Sequence, residues 1–419
     1  MKNRIKNVQI IFSKNKKVVE NYFFMTLLQV LNSLFYFLIY PFLIRTLGIE
    51  NYGLYVFALS IITFFMSFVS FGFDLPAAKA IALSSNDELE KSKILSSVFT
   101  AKVYLFIFSA IILSFLVILI PSLKTNWVLY FIVFIQIISG IFFPQWYFQG
   151  IQRMSIVTYI QLAFKLISLP FIFLLIHKGV DYVWIFALII SLSNILGGFM
   201  ASYIIRFRDN LKINWMPLDI VKIYCKDALP FFWTSSITIV KQQSISIIIG
   251  SYFGMRDVAL YDLAYKIFSI PNILFGSING ALFPKIAKEN NKDTIKKILK
   301  WETYAGLAVI VAVVLLGEYV VLFLGGPMML DSYPIAIVLS FGVLTFLLVS
   351  GYINFIFVPK NRYYLITQNQ VIAFIVFVSL TVVGLVIWKN ILSIALAWSI
   401  AGLFEIAYCK FLIKKYKLM

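Results

Sequence analysis

The chain has 419 residues, of which 61% are hydrophobic and only 13% are charged. Soluble domains carry about 25% charged residues, so this composition excludes a soluble globular protein and predicts a polytopic membrane protein. The net charge of +18 then predicts basic cytoplasmic loops rather than a nucleic-acid partner, and one histidine with two cysteines excludes a His/Cys metal cluster or a disulfide framework.

Apolar runs long enough to cross the bilayer recur along the whole chain. A helix needs about 20 such residues to span the hydrocarbon core. Twelve spans are predicted, at 22–44, 53–75, 94–120, 126–149, 155–176, 182–205, 229–250, 259–284, 299–324, 333–358, 365–388 and 391–412. The connecting loops are all short, so no extramembrane segment is expected to fold as a domain.

The loop charges predict the orientation of the spans. If the N-terminus is cytoplasmic, most loop lysines and arginines also face the cytoplasm. The outer loops then hold only Arg45, Lys124, Lys178, Arg256 and Lys389. The positive-inside rule therefore predicts that both termini are cytoplasmic.

A sequence repeat predicts two lobes. Gly, Leu, Tyr and Ala recur at a constant offset of 206 between residues 48–58 and 254–264. Parallel repeats of six helices imply a pseudo-two-fold axis along the membrane normal, with a central cavity between the lobes. The predicted organisation is a cytoplasmic tail (1–21), an N-lobe (22–205), a cytoplasmic linker (206–228), a C-lobe (229–412) and a second cytoplasmic tail (413–419).

Lysines inside the predicted spans are candidate binding residues. Lys165 and Lys241 lie near the middle of their spans, where a lysine costs about 2.5–3.5 kcal/mol on insertion scales. Polar residues at helical spacing extend each position into a stripe, which predicts a face toward a polar cavity. The predicted polar face comprises Gln161, Thr238, Ser244 and Gln29, with Thr158, Ser168 and Thr234 on the same stripes. Stripes of Ser and Thr alone are more typical of close helix packing.

Four further charged residues, of both signs, are candidates. Asp262 and Lys266 are four residues apart, and this spacing predicts an intrahelical ion pair. The pair is either structural or a site for a coupling cation or an anionic substrate. Glu405, within the last span, and Asp74 are the other ion-coupling candidates, because intramembrane carboxylates are often proton sites.

Two motifs carry a family resemblance. Residues 45–55, RTLGIENYGLY, resemble the R-x-L-G-x-x-x-Y-G motif that follows the first span of polysaccharide transporters. Residues 145–154, QWYFQGIQRM, are similar to their W-x-x-Q-G-x-x-x-M signature, and residues 74–79 also fit. The chain therefore resembles the Wzx O-antigen flippases of the multidrug/oligosaccharidyl-lipid/polysaccharide exporter group. The usual acidic residue of the second motif is Gln152 here, so no charge is carried over.

The resemblance implies a transporter of the bacterial inner membrane, without a cofactor. Wzx proteins move undecaprenyl-pyrophosphate-linked oligosaccharide to the periplasmic leaflet by alternating access, and H⁺ or Na⁺ is the expected coupling ion. Membrane lipids, the polymerase and the chain-length regulator of the same pathway are the expected partners. The cations expected to meet the pyrophosphate are Lys165, Lys241 and Lys266, followed by Lys102 and Arg45.

Four alternative functions fit the sequence less well than a flippase does. A MATE-type drug or cation antiporter has the same architecture but needs acidic residues in its cavity. A peptidoglycan-precursor flippase usually has fourteen spans. An O-antigen polymerase carries a long periplasmic loop, and a channel needs a selectivity filter, neither of which this sequence contains.

Overall fold

The computed structural model describes residues 16–84, 87–177, 182–289 and 291–418, and these residues form α-helices joined by short turns. The predicted all-α class is therefore confirmed for the described chain. The first half contains α1 (Lys16–Leu47), α2 (Ile49–Ser70), α3 (Asp74–Leu83), α4 (Glu88–Leu119), α5 (Pro121–Lys124), α6 (Trp127–Ile135), α7 (Ile137–Phe142), α8 (Gln145–Gly150), α9 (Met154–Leu175) and α10 (Tyr182–Phe207).

The second half has fewer and longer helices. Its α-helices are α11 (Leu218–Tyr252), α12 (Met255–Glu289), α13 (Lys292–Gly325), α14 (Ser332–Tyr352), α15 (Tyr363–Ile387) and α16 (Ile391–Lys415). A short 3₁₀ turn at Pro327–Met329 precedes α14, and a π-helical turn at Ile353–Phe357 follows it.

Eleven helical segments of the described chain are long and apolar enough to cross a membrane. They match the predicted spans except 229–250, which lies inside the 35-residue helix α11. That segment is less apolar because Thr, Ser, Gln and Lys side chains interrupt it between positions 234 and 246. The chain is thus a multi-pass membrane protein, and its α11 is a helix of spanning length with an unusually polar middle.

Side chains at the helix starts satisfy backbone N–H groups that have no partner within the helix. Asp87 caps α4 by accepting from the N–H of Glu90 at 3.0 Å. Asn291 caps α13 and Asn390 caps α16 through the same kind of bond. The sequence therefore marks where these helices begin.

Two helix breaks occur at the glycines of the predicted repeat. α1 and α2 are separated at Gly48, with φ +82°, and α11 and α12 at Gly254, with φ +107°. Left-handed backbone of this kind favours glycine. The next helices begin at Ile49 and Met255, which are separated by the predicted offset.

The residues group into two compact units by their contacts. One comprises the described residues up to Phe35 together with Tyr55–Ile247, and the other comprises Tyr36–Leu54 with residues from Ile248 onward. Each has a buried apolar core. The first includes Trp146, Tyr147 and Phe148, and the second includes Leu299, Tyr352, Leu365, Ile406 and Cys409. The lobe boundaries given above from the sequence remain a prediction, and residues 1–15 of the predicted tail lie outside the described residues.

Candidate functional site

Lys165 lies near the middle of α9, where the sequence placed it, and its ammonium group is held by α1. Nζ donates a hydrogen bond to Oδ1 of Asn32 at 2.5 Å and lies 5.1 Å from the centroid of the Phe35 ring. The Asn32 amide and the Phe35 ring are uncharged, and the Lys165 side chain is half-buried. On the same helix, Thr158 donates to the carbonyl of Phe24 at 3.1 Å. α9 thus carries a cation at mid-span that an amide and an aromatic ring orient.

Asn32 is a residue that the sequence reasoning missed. It lies three positions after Gln29 and one before Ser33, so it belongs to the polar stripe of α1. Its helical spacing could have identified it. Gln29 itself is exposed, and Gln161 of α9 is half-buried.

Lys241 lies in the polar middle of α11, in the same compact unit as Lys165. Its side chain is half-buried. Ser244 donates to the Lys241 carbonyl at 3.5 Å, and Thr238 is exposed. The side chain of Thr234, on the same predicted stripe, lies outside the described residues.

Lys266 forms the predicted ion pair with Asp262 on α12, and an aromatic cluster surrounds the pair. The Tyr52 hydroxyl donates to Asp262 Oδ2 at 2.8 Å and accepts from Lys266 Nζ at 3.0 Å. The rings of Tyr36, Tyr40 and Tyr52 lie 5.8, 5.4 and 5.7 Å from Nζ. Asp262 therefore compensates the charge of Lys266 within a closed cluster.

The motif at 45–55 contributes Tyr52 to this cluster. Tyr52 is the tyrosine of the Y-G pair in the motif, and Gly53 follows it. A Cβ on Gly53 would lie 1.8 Å from the carbonyl oxygen of Met255, so only glycine lets α2 approach the start of α12 this closely. The motif thus serves packing, whereas Arg45, at the end of α1, is exposed.

The other motif also serves packing. Tyr147 donates to Oδ2 of Asp209 at 2.9 Å, and Arg153 binds Oδ1 of the same carboxylate at 3.1 Å. Gly150 lies against α3, where a Cβ would be 2.8 Å from the carbonyl of Ala78. Gln152 adopts a positive φ of 55° in the turn. These contacts tie the end of α8 to the loop after α10.

Lys102 and Asp74 occupy positions that suit structural roles. Lys102 is 6% exposed, and its Nζ donates to the carbonyl of Gly140 at 3.2 Å. Asp74 is exposed in the first turn of α3, where Ser70 donates to it at 3.4 Å. A carboxylate there stabilises the positive end of the helix dipole.

Glu405 is buried in α16, with amide donors from α15 beside it. Its Oε1 accepts from Asn369 Nδ2 at 2.9 Å and from Gln370 Nε2 at 3.1 Å. Hydrogen bonds from neutral donors stabilise the ionised form of a carboxyl group. The sequence identified Glu405 but not the two amides.

Glu302 is a second buried carboxyl group, and the sequence reasoning missed it. It lies on α13 and is 6% exposed. Neither of its oxygens has a hydrogen-bond partner among the described residues. The Asn279 side chain interacts with the carboxylate, but it falls short of hydrogen-bond geometry.

Neither Cys225 nor a group of metal-ligating side chains forms a reactive centre in the described chain. Burial raises the pKa of the Cys225 thiol, which lies before the polar middle of α11. A protonated thiol is a poor nucleophile. No three His, Cys, Asp or Glu side chains of the described residues come together as metal ligands.

Comparison with known families decides the classification. The model of the family described as polysaccharide biosynthesis protein matches residues 18–289. The chain belongs to this family. The chain is similar to two curated proteins, both named as candidate O-antigen transporters, from Escherichia coli (strain K12) and Shigella dysenteriae. The first is 25% identical over 67% of each chain, and the second is 25% identical over 64% of this chain and 67% of its own.

Solved structures show the same fold for this member of the polysaccharide biosynthesis family. The lipid II flippase MurJ in an inward closed conformation has a TM-score of 0.67 at 17% identity, covering 97% of this chain and 87% of its own. An inward-facing MATE transporter of the MOP superfamily has a TM-score of 0.62 at 12% identity, covering 92% and 99%. At these identities the likeness concerns the fold alone.

Proposed function

We propose that the protein is a flippase, and not an enzyme, that moves lipid-linked oligosaccharide across the bacterial inner membrane. The substrate is an O-antigen or similar repeat unit on undecaprenyl pyrophosphate, and it moves from the cytoplasmic to the periplasmic leaflet by alternating access. Membership of the polysaccharide biosynthesis family supports this, as do the names of the two relatives and the flippase fold.

The strongest structural support for a flippase is the position of Lys165 in the middle of α9. A pyrophosphate must cross a medium in which each unpaired charge costs several kcal/mol. The half-buried ammonium in the middle of α9, oriented by Asn32 and Phe35, is suited to compensate part of that cost.

The other candidate cations rank below Lys165. Lys241 follows it, because it lies in the polar middle of α11 and within the same compact unit. Lys266 already has a carboxylate partner in Asp262, so its charge is available only if that pair opens. Lys102 is buried against Gly140, and Arg45 lies at a helix end.

Coupling to H⁺ or Na⁺ is part of the proposal, and Glu405 is the preferred residue among Asp74, Asp262 and Glu405. Asp262 is engaged by Lys266 and Tyr52, whereas Asp74 is exposed at a helix start. Glu405 is buried and held by two amides. We also propose cytoplasmic termini, and a polymerase and chain-length regulator as partners in the same pathway.

A reconstituted transport assay tests the proposal. Vesicles containing the protein and undecaprenyl-pyrophosphate oligosaccharide are assayed for the fraction of sugar that becomes accessible to a membrane-impermeant oxidant over time. Wild type should move the sugar between leaflets, and Lys165→Gln should slow the transfer at least tenfold. Lys124→Gln is the matched control, because Lys124 is exposed on α5. Equal rates for empty and protein-containing vesicles would refute the function.

The fold also supports a MATE-type cation antiporter as the second candidate. The MATE neighbours share the architecture, and the buried Glu302 and Glu405 could bind organic cations. Uptake of a cationic dye by the same vesicles discriminates the two functions. The flippase proposal predicts no dye transport above that of empty vesicles.

A further inference from the structure

We propose that Glu302 is a proton-binding site that takes up and releases one proton in each transport cycle. The inference rests on the proposed flippase function and assigns its coupling ion to H⁺. It concerns a site separate from the amide-bound Glu405.

Glu302 is a buried carboxyl group without a hydrogen bond from the described residues. Both oxygens of Glu302 are inaccessible, and neither has a hydrogen-bond partner in the described part of the chain. An ionised carboxylate in such a place costs several kcal/mol, whereas the protonated form is much less costly. Glu302 is therefore neutral in this arrangement, so it carries a proton.

Neighbouring helices make room for the Glu302 carboxyl group. A Cβ on Gly351, in α14, would lie 2.4 Å from Oε2 of Glu302 and 2.7 Å from Leu299 Cδ2. Any larger residue at position 351 would displace the carboxyl group. Asn279, 3% exposed, contributes the neighbouring polar side chain from α12. The residues around Glu302 therefore accommodate its carboxyl group specifically.

The backbone next to Glu302 is irregular. α14 changes into a π-helical turn at Ile353–Phe357, two residues after Gly351. Such turns occur frequently at functional sites. Asn354, within the turn, donates to Ser350 Oγ at 3.0 Å. A rearrangement of this turn would shift Gly351 and give Glu302 access to water.

The surrounding groups favour a proton over a metal ion. Among described side chains, α12 offers the non-titrating Asn279 and α14 offers Tyr352, which shares a core with Cys409 of α16. Glu405 lies near Cys409. One carboxylate and one amide provide too few oxygens for a dehydrated hard cation, which takes six or more.

The test compares the pH-gradient dependence of flipping in wild type and in Glu302→Gln. Glutamine has the shape of the protonated carboxyl group and fits beside Gly351, but it cannot release a proton. In wild type an imposed pH gradient should accelerate flipping several-fold, and in Glu302→Gln the ratio of rates with and without the gradient should fall to about one. Glu318→Gln is the matched control, because Glu318 is exposed on the same helix and should keep the wild-type ratio.

Infrared spectroscopy provides a readout that does not depend on transport. Purified wild type at neutral pH should show a protonated carboxyl band that is absent from Glu302→Gln and shifted in Glu302→Asp. A wild-type gradient ratio in Glu302→Gln, or an unchanged carboxyl band in both variants, would overturn the inference. Absence of flipping by wild type itself, with the band present, would instead refute the flippase function and leave the proton site standing.

Discussion

The hydroxyl group of Tyr52 donates a hydrogen bond at 2.8 Å to Oδ2 of Asp262, although 210 positions separate the two residues in the sequence. The same hydroxyl accepts from Lys266. One motif residue of α2 therefore holds the intrahelical ion pair of α12, which explains why the motif includes a tyrosine beside a glycine.

Removal of the Tyr52 hydroxyl should destabilise the protein. Tyr52→Phe keeps the ring but leaves the Asp262–Lys266 pair without its bridging partner, which should cost about 1–3 kcal/mol in the free energy of unfolding. A thermal unfolding scan in detergent measures the change. Tyr104→Phe, at an exposed ring of α4, is the control. Equal unfolding temperatures for both variants would contradict the bridging role.

Substitution of Gly53 should disrupt the contact between α2 and α12. In Gly53→Ala the new methyl group would overlap the Met255 carbonyl oxygen, and overpacking of this kind costs roughly 1–3 kcal/mol. The amount of folded protein in membranes should fall, as gel filtration in detergent would show. Gly280→Ala is the control because a Cβ there meets none of the described atoms within 4 Å. Normal yield of Gly53→Ala would show that the helices separate at little cost.

Asn32, an uncharged partner of Lys165, offers a direct test of the charge on that lysine. Asn32→Asp would place a carboxylate beside the ammonium group, 2.5 Å away in the present arrangement, and so neutralise it without removing the lysine. Transport should fall about as far as in Lys165→Gln. Asn126→Asp, at the start of α6, makes the same chemical change elsewhere. Unimpaired flipping by Asn32→Asp would mean that the net charge at this position is irrelevant.

Lys102 should behave differently from Lys165, although the sequence places both inside spans. Lys102→Met removes one bond to the Gly140 carbonyl and leaves an apolar side chain in a buried position. A modest loss of stability of about 1 kcal/mol is expected, with the flipping rate within twofold of wild type. The vesicle assay and a thermal scan report the two quantities. A tenfold loss of transport with unchanged stability would indicate that Lys102 contacts the substrate.

The spans were predictable because a bilayer forces long apolar helices, and the ion pair of Asp262 and Lys266 was predictable because helical spacing alone creates it. The segment 229–250 was predicted as an apolar run like the others, but its polar middle lowers its hydropathy, and it is absent from the eleven described helices apolar enough to cross a membrane. Glu302 was missed because its environment is tertiary. Asn279 and Gly351 approach it from other helices, and nothing in the local sequence of α13 distinguishes this carboxyl group from the exposed Glu318.

The difference between Lys102 and Lys165 was not predictable for the same reason. Both are lysines in apolar helices, and only the packing reveals that one meets a backbone carbonyl and the other an amide side chain. The motifs at 45–55 and 145–154 identified the family correctly. Their contacts in the structure serve helix packing, so a motif can be diagnostic of a family without touching the substrate.

The most direct measurement is the rate at which purified protein transfers undecaprenyl-pyrophosphate oligosaccharide between the leaflets of vesicles, for wild type, Lys165→Gln, Lys241→Gln and the Lys124→Gln control. Wild type and the control should transfer the oligosaccharide, and each of the other two variants should lose at least tenfold in rate at equal amounts of folded protein. Full transfer by both Lys165→Gln and Lys241→Gln would contradict the claim that mid-span lysines carry the pyrophosphate through the membrane.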